Sequence, residues 1–270
     1  FFFFSRHLRL QNSLVTKICD LLQTSKLVSL EVNWIKTNDN IEGLCKLLKQ
    51  NSDTLKSLHL IHCKLSPTLI DAICDSMQMK GLQVHGIEHF AIKRSSFFQT
   101  DSSPVPSGFA TFLTSARHLR SLTLCDAHLG RNFARGILDC LVDAASAISE
   151  LDLSENSISG FISHLYRRSS SSSLGTAGLL QTLKVLNLRA CDLDKDDIYC
   201  LKHALHCLPD LESLDLSRNV VEDGIRDRPF LDLKLENCDL TCDHVVELLE
   251  VLTKLKKPLN RLSLNGNRLG

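Results

Sequence analysis

The sequence lacks a net charge. Its 31 Lys and Arg residues balance 31 Asp and Glu residues, so the formal net charge of the 270-residue chain is zero. Proteins attracted to nucleic acids or anionic membranes through a general electrostatic field carry a basic excess. The composition therefore indicates neither a nucleic acid partner nor a membrane surface.

Long apolar runs are also missing. A membrane-spanning helix needs roughly 18 to 20 consecutive apolar residues, and the longest runs here fall far short of that. No succession of charged, hydrophobic and small residues marks a signal peptide. We expect no membrane association. Because the chain starts without Met, on Phe1 to Phe4, we expect it to be a piece of a longer protein.

The sequence contains no Asn-x-Ser/Thr acceptor for glycosylation. Its eleven cysteines are an odd number, and most fall at repeat positions or on predicted helix faces instead of forming a compact disulfide framework. Structural disulfides belong to oxidising compartments. These features favour an intracellular location, in the cytoplasm, the nucleus or both.

Common catalytic motifs are absent, including GxxxxGK[ST], HExxH and GxSxG. Cys238, Cys242 and His244 lie close together, but we expect Cys238 in the core of a repeat and Cys242 at the start of a helix. A thiolate needs a base within hydrogen-bond reach and a pocket. We therefore predict no catalytic residues.

Four side chains that could bind a metal share one stripe of a predicted helix: Asp196, Cys200, His203 and Cys207. Cys and His are ligands suited to zinc. A straight helix spreads these four over more than about 15 Å, too far for one tetrahedral ion. We predict a packed helix flank with no metal or cofactor, the alternative being a site that two or three of them share with a neighbouring element.

What the sequence has is a repeat. The stretch Leu183 to Leu193 reads LKVLNLRACDL, with Leu at the first, fourth, sixth and last positions and Cys at the ninth. About ten units with this spacing occur along the chain. They begin with a weak copy around Leu8 and Leu10 and continue from Leu27, Leu55, Ile87, Leu119, Ile148, Leu183, Leu211, Phe230 and Leu259.

Helical periodicity lies between the repeats. Apolar residues recur at three- and four-residue spacing from Leu69 to Met77, after Ser66 and Pro67 as cap and first-turn residue. Each unit is thus a short strand followed by a helix. Strands joined by right-handed helical crossovers stack in parallel and bury one face against the helices. The pattern predicts an α/β fold.

The ninth position alternates between Cys63 and the asparagines Asn156 and Asn219. It falls where the backbone leaves the strand and exposes amide and carbonyl groups to the interior. Asn can satisfy those groups from its side chain, and Cys fills the space as a small apolar residue with a weak donor. This function explains why both residues occur there.

The pattern LxxLxLxx[C/N]xL, with helices and a unit of about 28 to 29 residues, resembles the ribonuclease-inhibitor class of leucine-rich repeats. The resemblance covers nearly the whole chain. It implies a horseshoe-shaped solenoid with parallel strands on the concave face and helices on the convex face. It also implies a single monomeric domain over 1–270 that binds another protein.

Three stretches interrupt the repeat. The first, near 95–107, contains Pro104 and Pro106, and we expect a surface excursion there. The second, near 166–175, is a low-complexity serine-rich insertion, and the third, near 222–229, is charged and ends in Pro, so a loop should replace the helix.

The serine-rich insertion also suggests a modification site. Arg167 and Arg168 precede Ser169 and Ser170, which resembles a basic-directed kinase acceptor in a flexible loop. Phosphate at these serines would add negative charge and could gate a partner. The alternative is a disordered serine linker.

Residues that flank and separate the strand leucines should point away from the core. In the later units these positions include Ser154 and Ser217, whereas Ser57, His59, Ser121 and Thr123 make the earlier units blander. The candidate contacts with a partner are Glu150, Asp152, Asn187, Arg189, Asp215, Asp232, Lys234, Glu236 and Arg261.

Five acids and three bases among these candidates make a mildly acidic surface. We hypothesise a groove for a protein segment that carries Lys or Arg. The alternative is that any solvent-facing strand surface must be polar.

We predict a non-enzymatic protein-binding module. By resemblance, such modules serve as the substrate-recognition part of ubiquitin-ligase adaptors, as ligand-sensing repeats of innate immune receptors, or as scaffolds. The Ran GTPase-activating proteins resemble the same repeat class, so a regulator of small-GTPase hydrolysis is the alternative from another class.

Overall fold

A computed structural model describes residues 6–18, 20–22, 26–79, 84–97, 104–144, 148–171, 179–219, 232–246 and 261–269. Its strands are β1 His7–Gln11, β2 Ser29–Asn33, β3 Ser57–Ile61, β4 Lys64–Leu65, β5 His89–Lys93, β6 Ser96–Phe97, β7 Ser121–Cys125, β8 Glu150–Asp152, β9 Val185–Asn187, β10 Ser213–Asp215, β11 Asp232–Lys234 and β12 Arg261–Ser263. Its helices are α1 Asn12–Ile18, α2 Glu42–Gln50, α3 Pro67–Ser76, α4 Ser107–Thr114, α5 Arg131–Val142, α6 Phe161–Ser171, α7 Leu179–Thr182 and α8 Lys195–His206. Residues 242–246 are also helical.

Ten of the strands form one parallel sheet in which each strand pairs with the strand of the preceding unit, in the order β1-β2-β3-β5-β7-β8-β9-β10-β11-β12. The two-residue strands β4 and β6 pair separately. The predicted α/β architecture with parallel strands is confirmed, and even the weak first copy of the repeat forms a strand. In the described ranges, no helix is long and apolar enough to cross a membrane.

The strand leucines form rows that run across the sheet. The first inward row consists of Leu8, Leu30, Leu58, Phe90, Leu122, Leu151, Leu186, Leu214, Leu233 and Leu262. From Leu30 to Leu233 these side chains are at most 3% exposed. Burial of each contributes about 1.5 to 3 kcal/mol. The inward rows thus fix the register of the sheet.

The helices share the core of the inward rows and so lie on that side of the sheet. Helices α1 to α6 pack against one another in chain order, and α8 packs against α6. Helix α3 begins as the sequence predicts, with Ser66 Oγ accepting from Leu69 N at 3.2 Å and Pro67 in the first turn. Where Phe90 replaces a row leucine, Phe109 and Phe112 of α4 surround it at ring-centroid distances of 6.0 and 5.0 Å.

Buried asparagines connect one unit to the next. Asn156 Oδ1 accepts from Ala127 N and Leu129 N of the preceding unit, both at 3.0 Å. Its Nδ2 donates to Leu124 O of that unit at 2.7 Å and to Leu153 O of its own at 2.8 Å. Asn219 and Asn267 make the corresponding bonds to their own neighbours. The asparagine side chain therefore stabilises the turn of its own unit and also the stacking of that unit on the preceding one.

Cysteine at the same position forms some of the corresponding hydrogen bonds. Cys191 Sγ donates to Leu153 O of the preceding unit at 3.2 Å, and Cys63 Sγ makes a longer contact of 3.8 Å with Val32 O. Burial raises the pKa of Cys63 to about 11 and that of Cys191 to about 12, which keeps both thiols protonated as donors. The sequence predicts that Asn bonds the backbone groups and that Cys supplies only a weak donor. The thiol hydrogen bonds agree with that prediction.

The residue before each Asn or Cys is left-handed. φ is 54° at His62, 59° at Glu155, 50° at Ala190 and 61° at Arg218, and Gly266 has φ 72° at the same position. A non-glycine residue in this region costs roughly 1 to 2 kcal/mol. This strained conformation recurs from unit to unit. We infer that it is required by the turn that places the Asn or Cys side chain in the core.

Two of the predicted interruptions are more regular than expected. Ser95 is buried, and its Oγ accepts from Cys63 N at 2.9 Å, while Phe97 is buried in β6. The stretch near 95–107 therefore begins inside the core, because Ser95 occupies the Asn/Cys position of its unit, and α4 begins at Ser107. Residues 98–103 lie outside the described part.

The first half of the predicted insertion near 166–175 is helical, because α6 continues to Ser171. Arg168 forms ion pairs with Asp139 of α5 at 3.0 Å and with Asp143, the residue that follows α5, at 2.9 Å. A cation in the last turn also interacts favourably with the helix dipole. Residues 172–178 and the predicted loop at 222–229 lie outside the described part.

His85 is a buried histidine whose hydrogen bonds require the neutral ring. Its Nε2 contacts Phe112 O at 2.8 Å and its Nδ1 accepts from Ile87 N at 3.2 Å, so the proton resides on Nε2. The ring stacks on Phe112 with a centroid distance of 3.9 Å. The pKa of His85 is lowered to about 4, mainly by burial; the hydrogen bond to Phe112 O opposes the shift and the charge of His118 adds to it.

The asparagine bridges predict a large stability effect. Asn156→Ala should reduce the free energy of unfolding by about 2 to 4 kcal/mol, because it leaves several buried backbone groups without partners. The free energy of unfolding of Asn156→Cys should lie between those of the parent and Asn156→Ala, since a thiol can still donate to Leu124 O. Urea unfolding followed by circular dichroism measures this. The exposed Asn265→Ala is the control and should stay within about 0.5 kcal/mol of the parent; equal midpoints for all variants would contradict the bridging role.

His85 predicts a pH effect on stability. The unfolded histidine titrates near 6.5 and the folded one near 4, so the unfolded chain binds more protons between these values. This contribution is complete above about pH 6.5 and is lost as pH falls, with up to about 3 kcal/mol lost by pH 4. Urea midpoints measured from pH 7 to 4 should depend less on pH in His85→Gln than in the parent. His203→Gln, at an exposed position, should retain the parental slope.

Candidate functional site

The sheet has one face that the helices do not cover. We define the open face as three rows of outward strand residues held in register by the parallel pairing, with neighbouring strands about 4.8 Å apart. The middle row consists of Arg9, Glu31, His59, Ala91, Thr123, Asp152, Asn187, Asp215, Lys234 and Ser263. One row on each side of it completes the face.

Three predicted contact residues in the middle row hold the end of their own strand. Asp152 Oδ1 accepts from Ser154 N at 2.9 Å. Asn187 Oδ1 accepts from Arg189 N at 3.1 Å, and Asp215 Oδ1 accepts from Ser217 N at 3.0 Å. Such a bond from a side chain to the amide two residues on is an Asx turn. These positions therefore have a structural function whether or not a partner binds.

Asp215 is the least accessible of the predicted acids whose side chains the structure describes, with 9% of its surface exposed. Its Oδ2 lies 3.8 Å from Lys234 Nζ across the strand pair. Glu236 is half-buried and accepts a short hydrogen bond from Ser263 Oγ. Asp215, Lys234 and Glu236 thus have partners within the sheet already.

Glu150 and Arg261 are exposed in the first row, and Arg189 is half-buried at the far side of the face. Asp232 belongs to the first row by register, opposite Arg261, and its side chain lies outside the described part. By register, Glu150, Asp152, Asn187, Asp215, Lys234 and Arg261 occupy outward strand positions, spread over five strands instead of forming one compact cluster.

Ser154 and Ser217 do not line the open face as predicted. They are 4% and 0% exposed, respectively. Strands β8 and β10 have already ended at Asp152 and Asp215, so the chain has turned before it reaches the serines. Ser217 Oγ instead accepts from Glu236 N of the next unit at 3.1 Å.

The earlier units are not bland. Ala91 lies in the middle row with His59 and Thr123 opposite it on the adjacent strands, and His89 and Lys93 flank it along β5. A depression of about 360 Å³ lies over this small side chain. We call it the β5 cup, and its lining is Ser57, His59, His89, Phe90, Ala91, Lys93, Ser121 and Thr123.

The β5 cup is cationic. The pKa of His59 is lowered by burial, then by the positive charge of Lys93, with Glu31 opposing the shift and His89 adding to it. The spacing of the degenerate Ile87 unit contains the signal for this cluster, because it assigns His89, Ala91 and Lys93 to outward positions. Sequence reasoning missed it because the outward residues were weighed mainly in the later units.

The Cys and His groups considered for chemistry have structural partners. Cys238 Sγ donates to Leu216 O at 3.4 Å, and burial raises the pKa of its thiol. His244 Nδ1 accepts from Thr241 N at 3.2 Å in the turn that starts the helical residues 242–246. Cys207 Sγ donates to Ser169 Oγ at 3.0 Å, which packs α8 against α6. Among the described residues, no group of three or more His, Cys, Asp or Glu is placed to hold a metal ion.

Ser169 belongs to helix α6 and its Oγ donates to Tyr166 O at 2.6 Å. It is half-buried, which differs from the flexible loop that the sequence predicts. The side chain of Ser170 lies outside the described part. Phosphorylation of Ser169 and Ser170 stays a prediction.

Comparisons with known proteins give little beyond the fold. No protein-family model matches the chain, and no curated protein matches it. A solved structure of TLR13 in complex with ssRNA13 superposes with a TM-score of 0.49 and 17% sequence identity, over 92% of this chain and 37% of that chain. The chain thus spans just over a third of that protein, and a similarity at this level says nothing about the ligand of this chain.

The Asx turns predict how substitutions on the open face behave. Asp152→Ala should lower the free energy of unfolding by about 1 kcal/mol, because Ser154 N and Oγ lose an acceptor. Asp152→Asn should cost less than about 0.5 kcal/mol, because an amide oxygen accepts the same bond. Urea unfolding measures both, with Glu150→Ala as the exposed neighbour that should change little. Equal losses for Asp152→Ala and Asp152→Asn would indicate that the charge matters and the turn does not.

Proposed function

We propose that this chain is a non-enzymatic module that binds a partner protein on its open face. The observation that carries the proposal is the uncovered face of a ten-stranded parallel sheet. Parallel sheets are ordinarily buried on both faces, with apolar residues on each. Here the outward rows are polar and charged, as expected for a face that meets another molecule and is otherwise in water.

Shape supports the same proposal. Packed helices lie about 8 to 10 Å apart, whereas neighbouring strands lie about 4.8 Å apart. With one helix for most strands, the two layers can stack only if the sheet forms the inner side of a curve. We infer a horseshoe with the open face concave, built as one domain by units that contact their neighbours, and such a surface can surround a partner.

The negative charges in the C-terminal half of the open face favour a partner segment that carries Lys or Arg. Glu150, Asp152, Asp215 and Glu236 give this half four carboxylates within four units, interspersed with Arg189 and Lys234. Asp215 is 9% exposed and Glu236 bonds Ser263 across the sheet. The exposed Glu150 and the half-exposed Asp152, whose bonds in its own turn are made by Oδ1, are the acids best placed to meet a partner.

The thiols support an intracellular location. The described cysteines are all free, and Cys63, Cys191 and Cys238 use the S–H group as a donor to backbone carbonyls. Oxidation would remove those donors. We therefore propose the cytoplasm, the nucleus or both, with a role as the recognition part of a ubiquitin-ligase adaptor or as a scaffold.

Affinity capture from cell lysate tests this function, with neutral variants that keep the backbone turns. The triple variant Glu150→Gln, Asp152→Asn, Glu236→Gln should retain the fold and lose about tenfold in affinity for a protein captured by the parent, as measured with purified partner. The matched control is Glu42→Gln, Asp53→Asn, Asp75→Asn, three acids exposed away from the open face.

An unchanged affinity in the triple variant would contradict the acidic-groove proposal. Loss of affinity in the control variant instead would place the partner on the helical side. Stimulated GTP hydrolysis by a captured small GTPase would replace the adaptor or scaffold role with the regulatory one.

A further inference from the structure

The β5 cup gathers donor groups from three adjacent strands. His59 on β3 and Thr123 on β7 are the direct neighbours of Ala91 in the middle row. His89 and Lys93 precede and follow Ala91 by two residues on β5, so they point to the same side of the sheet. Ser57 and Ser121 flank His89 in the first row. A side chain of one carbon atom is therefore surrounded by six polar ones.

These six polar side chains have no hydrogen bond or ion pair with another group in the described part of the chain. They differ in this respect from the middle row farther along, where Asp152, Asn187 and Asp215 accept backbone N–H groups. Glu31, the carboxylate beside His59, is paired with Arg9 Nε at 2.6 Å and with Asn33 Nδ2 at 3.0 Å. The donors of the β5 cup are thus available to a ligand.

Lys93 gives the cup a positive charge, and Glu31, the acid beside His59, is already paired with Arg9 and Asn33. Lys93 and His89 both disfavour the protonated form of His59. An anion bound between these groups interacts favourably with Lys93 and with the protonated form of His59. The open mouth and the volume of about 360 Å³ leave room for an anionic group together with the side chain that carries it.

We propose that the β5 cup binds a phosphate group on a phosphorylated side chain of a partner protein. Phosphate has three terminal oxygens and a charge of about −1.5 to −2 at neutral pH, and it can accept bonds from several directions. A carboxylate has two oxygens in one plane and would leave most of the surrounding donors unused. Lys93 supplies the fixed charge, His59 and His89 supply ring N–H groups, and the hydroxyls complete the shell.

The inference rests on the proposed function, because it assigns a preference for phosphate to the N-terminal half of the protein-binding face. It concerns different residues from the acidic groove. Each can therefore fail without the other.

Binding should depend on pH through His59. The pKa of His59 lies below its ordinary value in the free protein, so the ring is mainly neutral at pH 7.5. A bound anion favours the protonated ring and raises that pKa, so affinity should increase as pH falls toward 6. The charged groups that face His59 are Lys93, His89 and Glu31. Since phosphate itself gains a proton near pH 6, inorganic sulfate is the probe for this measurement.

Calorimetric titration of the full chain tests the proposal. The probes are inorganic phosphate, sulfate, and a short peptide prepared with phosphoserine, with serine and with glutamate. The phosphoserine peptide should bind saturably and about tenfold more tightly than either other form. Sulfate affinity should rise from pH 7.5 to 6 in the parent and rise less in His59→Asn, which retains only His89 in the shell.

Two variants remove the site in different ways. Lys93→Gln removes the fixed charge, and Ala91→Leu fills the floor without changing any charge. Each should weaken the phosphoserine peptide about tenfold, whereas Lys64→Gln, an exposed lysine of β4 outside the cup, should bind like the parent. Circular dichroism and the urea midpoint establish that the variants are folded, and if Ala91→Leu is not, Lys93→Gln and His59→Asn decide.

Several results would overturn the proposal. These are equal affinity for the glutamate peptide, no saturable binding to the parent, or binding that survives Lys93→Gln. Tighter binding of a single-stranded RNA oligonucleotide at the same residues would assign the cup to nucleic acid instead. If Lys93→Gln leaves capture of the lysate partner intact while the Glu150, Asp152 and Glu236 variant abolishes it, the cup fails and the proposed function stands.

Discussion

At the end of every strand the backbone turns inward and exposes amide and carbonyl groups to an apolar interior, and the fold depends on how those groups are satisfied. Asn156, Asn219 and Asn267 satisfy them with one amide that bonds both its own unit and the one before. The bond partners lie in an adjacent unit, so a single unit cannot satisfy its own turn. Stacking is therefore required by hydrogen bonding as well as by burial of the leucine rows.

The same turn determines the open face. Because the buried side chain must reach back by one unit, strands pair in a fixed register, and outward residues of equal position align in rows. Ala91 comes to lie between His59 and Thr123 for this reason, although the three are separated by about thirty residues at each step. The left-handed residue before each Asn or Cys is a further consequence, since the chain must bend sharply before it presents that side chain.

The repeat predicted the strands, the inward rows and the function of the Asn and Cys position, because leucine spacing and turn chemistry are local. The Leu183 unit illustrates this: Leu186, Leu188 and Cys191 are buried as the template requires. Predictions failed where contacts between units decide the outcome. Ser217 is buried because β10 ends early and the next unit donates to its hydroxyl. Helix α6 continues into the serine-rich stretch, where Arg168 pairs with one acid of α5 and with the acid that follows it.

Polarity alone does not distinguish a binding surface from a solvated one, since both present charged side chains. The distinction lies in whether the polar groups have partners within the protein. Asp152 and Asp215 were selected for their charge, yet each uses an oxygen to hold a strand end, so a charged face would exist there without any ligand. The β5 cup is the opposite case, because the six polar side chains around Ala91 have no hydrogen bond or ion pair in the described part of the chain and so hold no turn. Their donor groups are available to an anion, so the degenerate Ile87 unit is the part of the open face to which we assign a chemical preference.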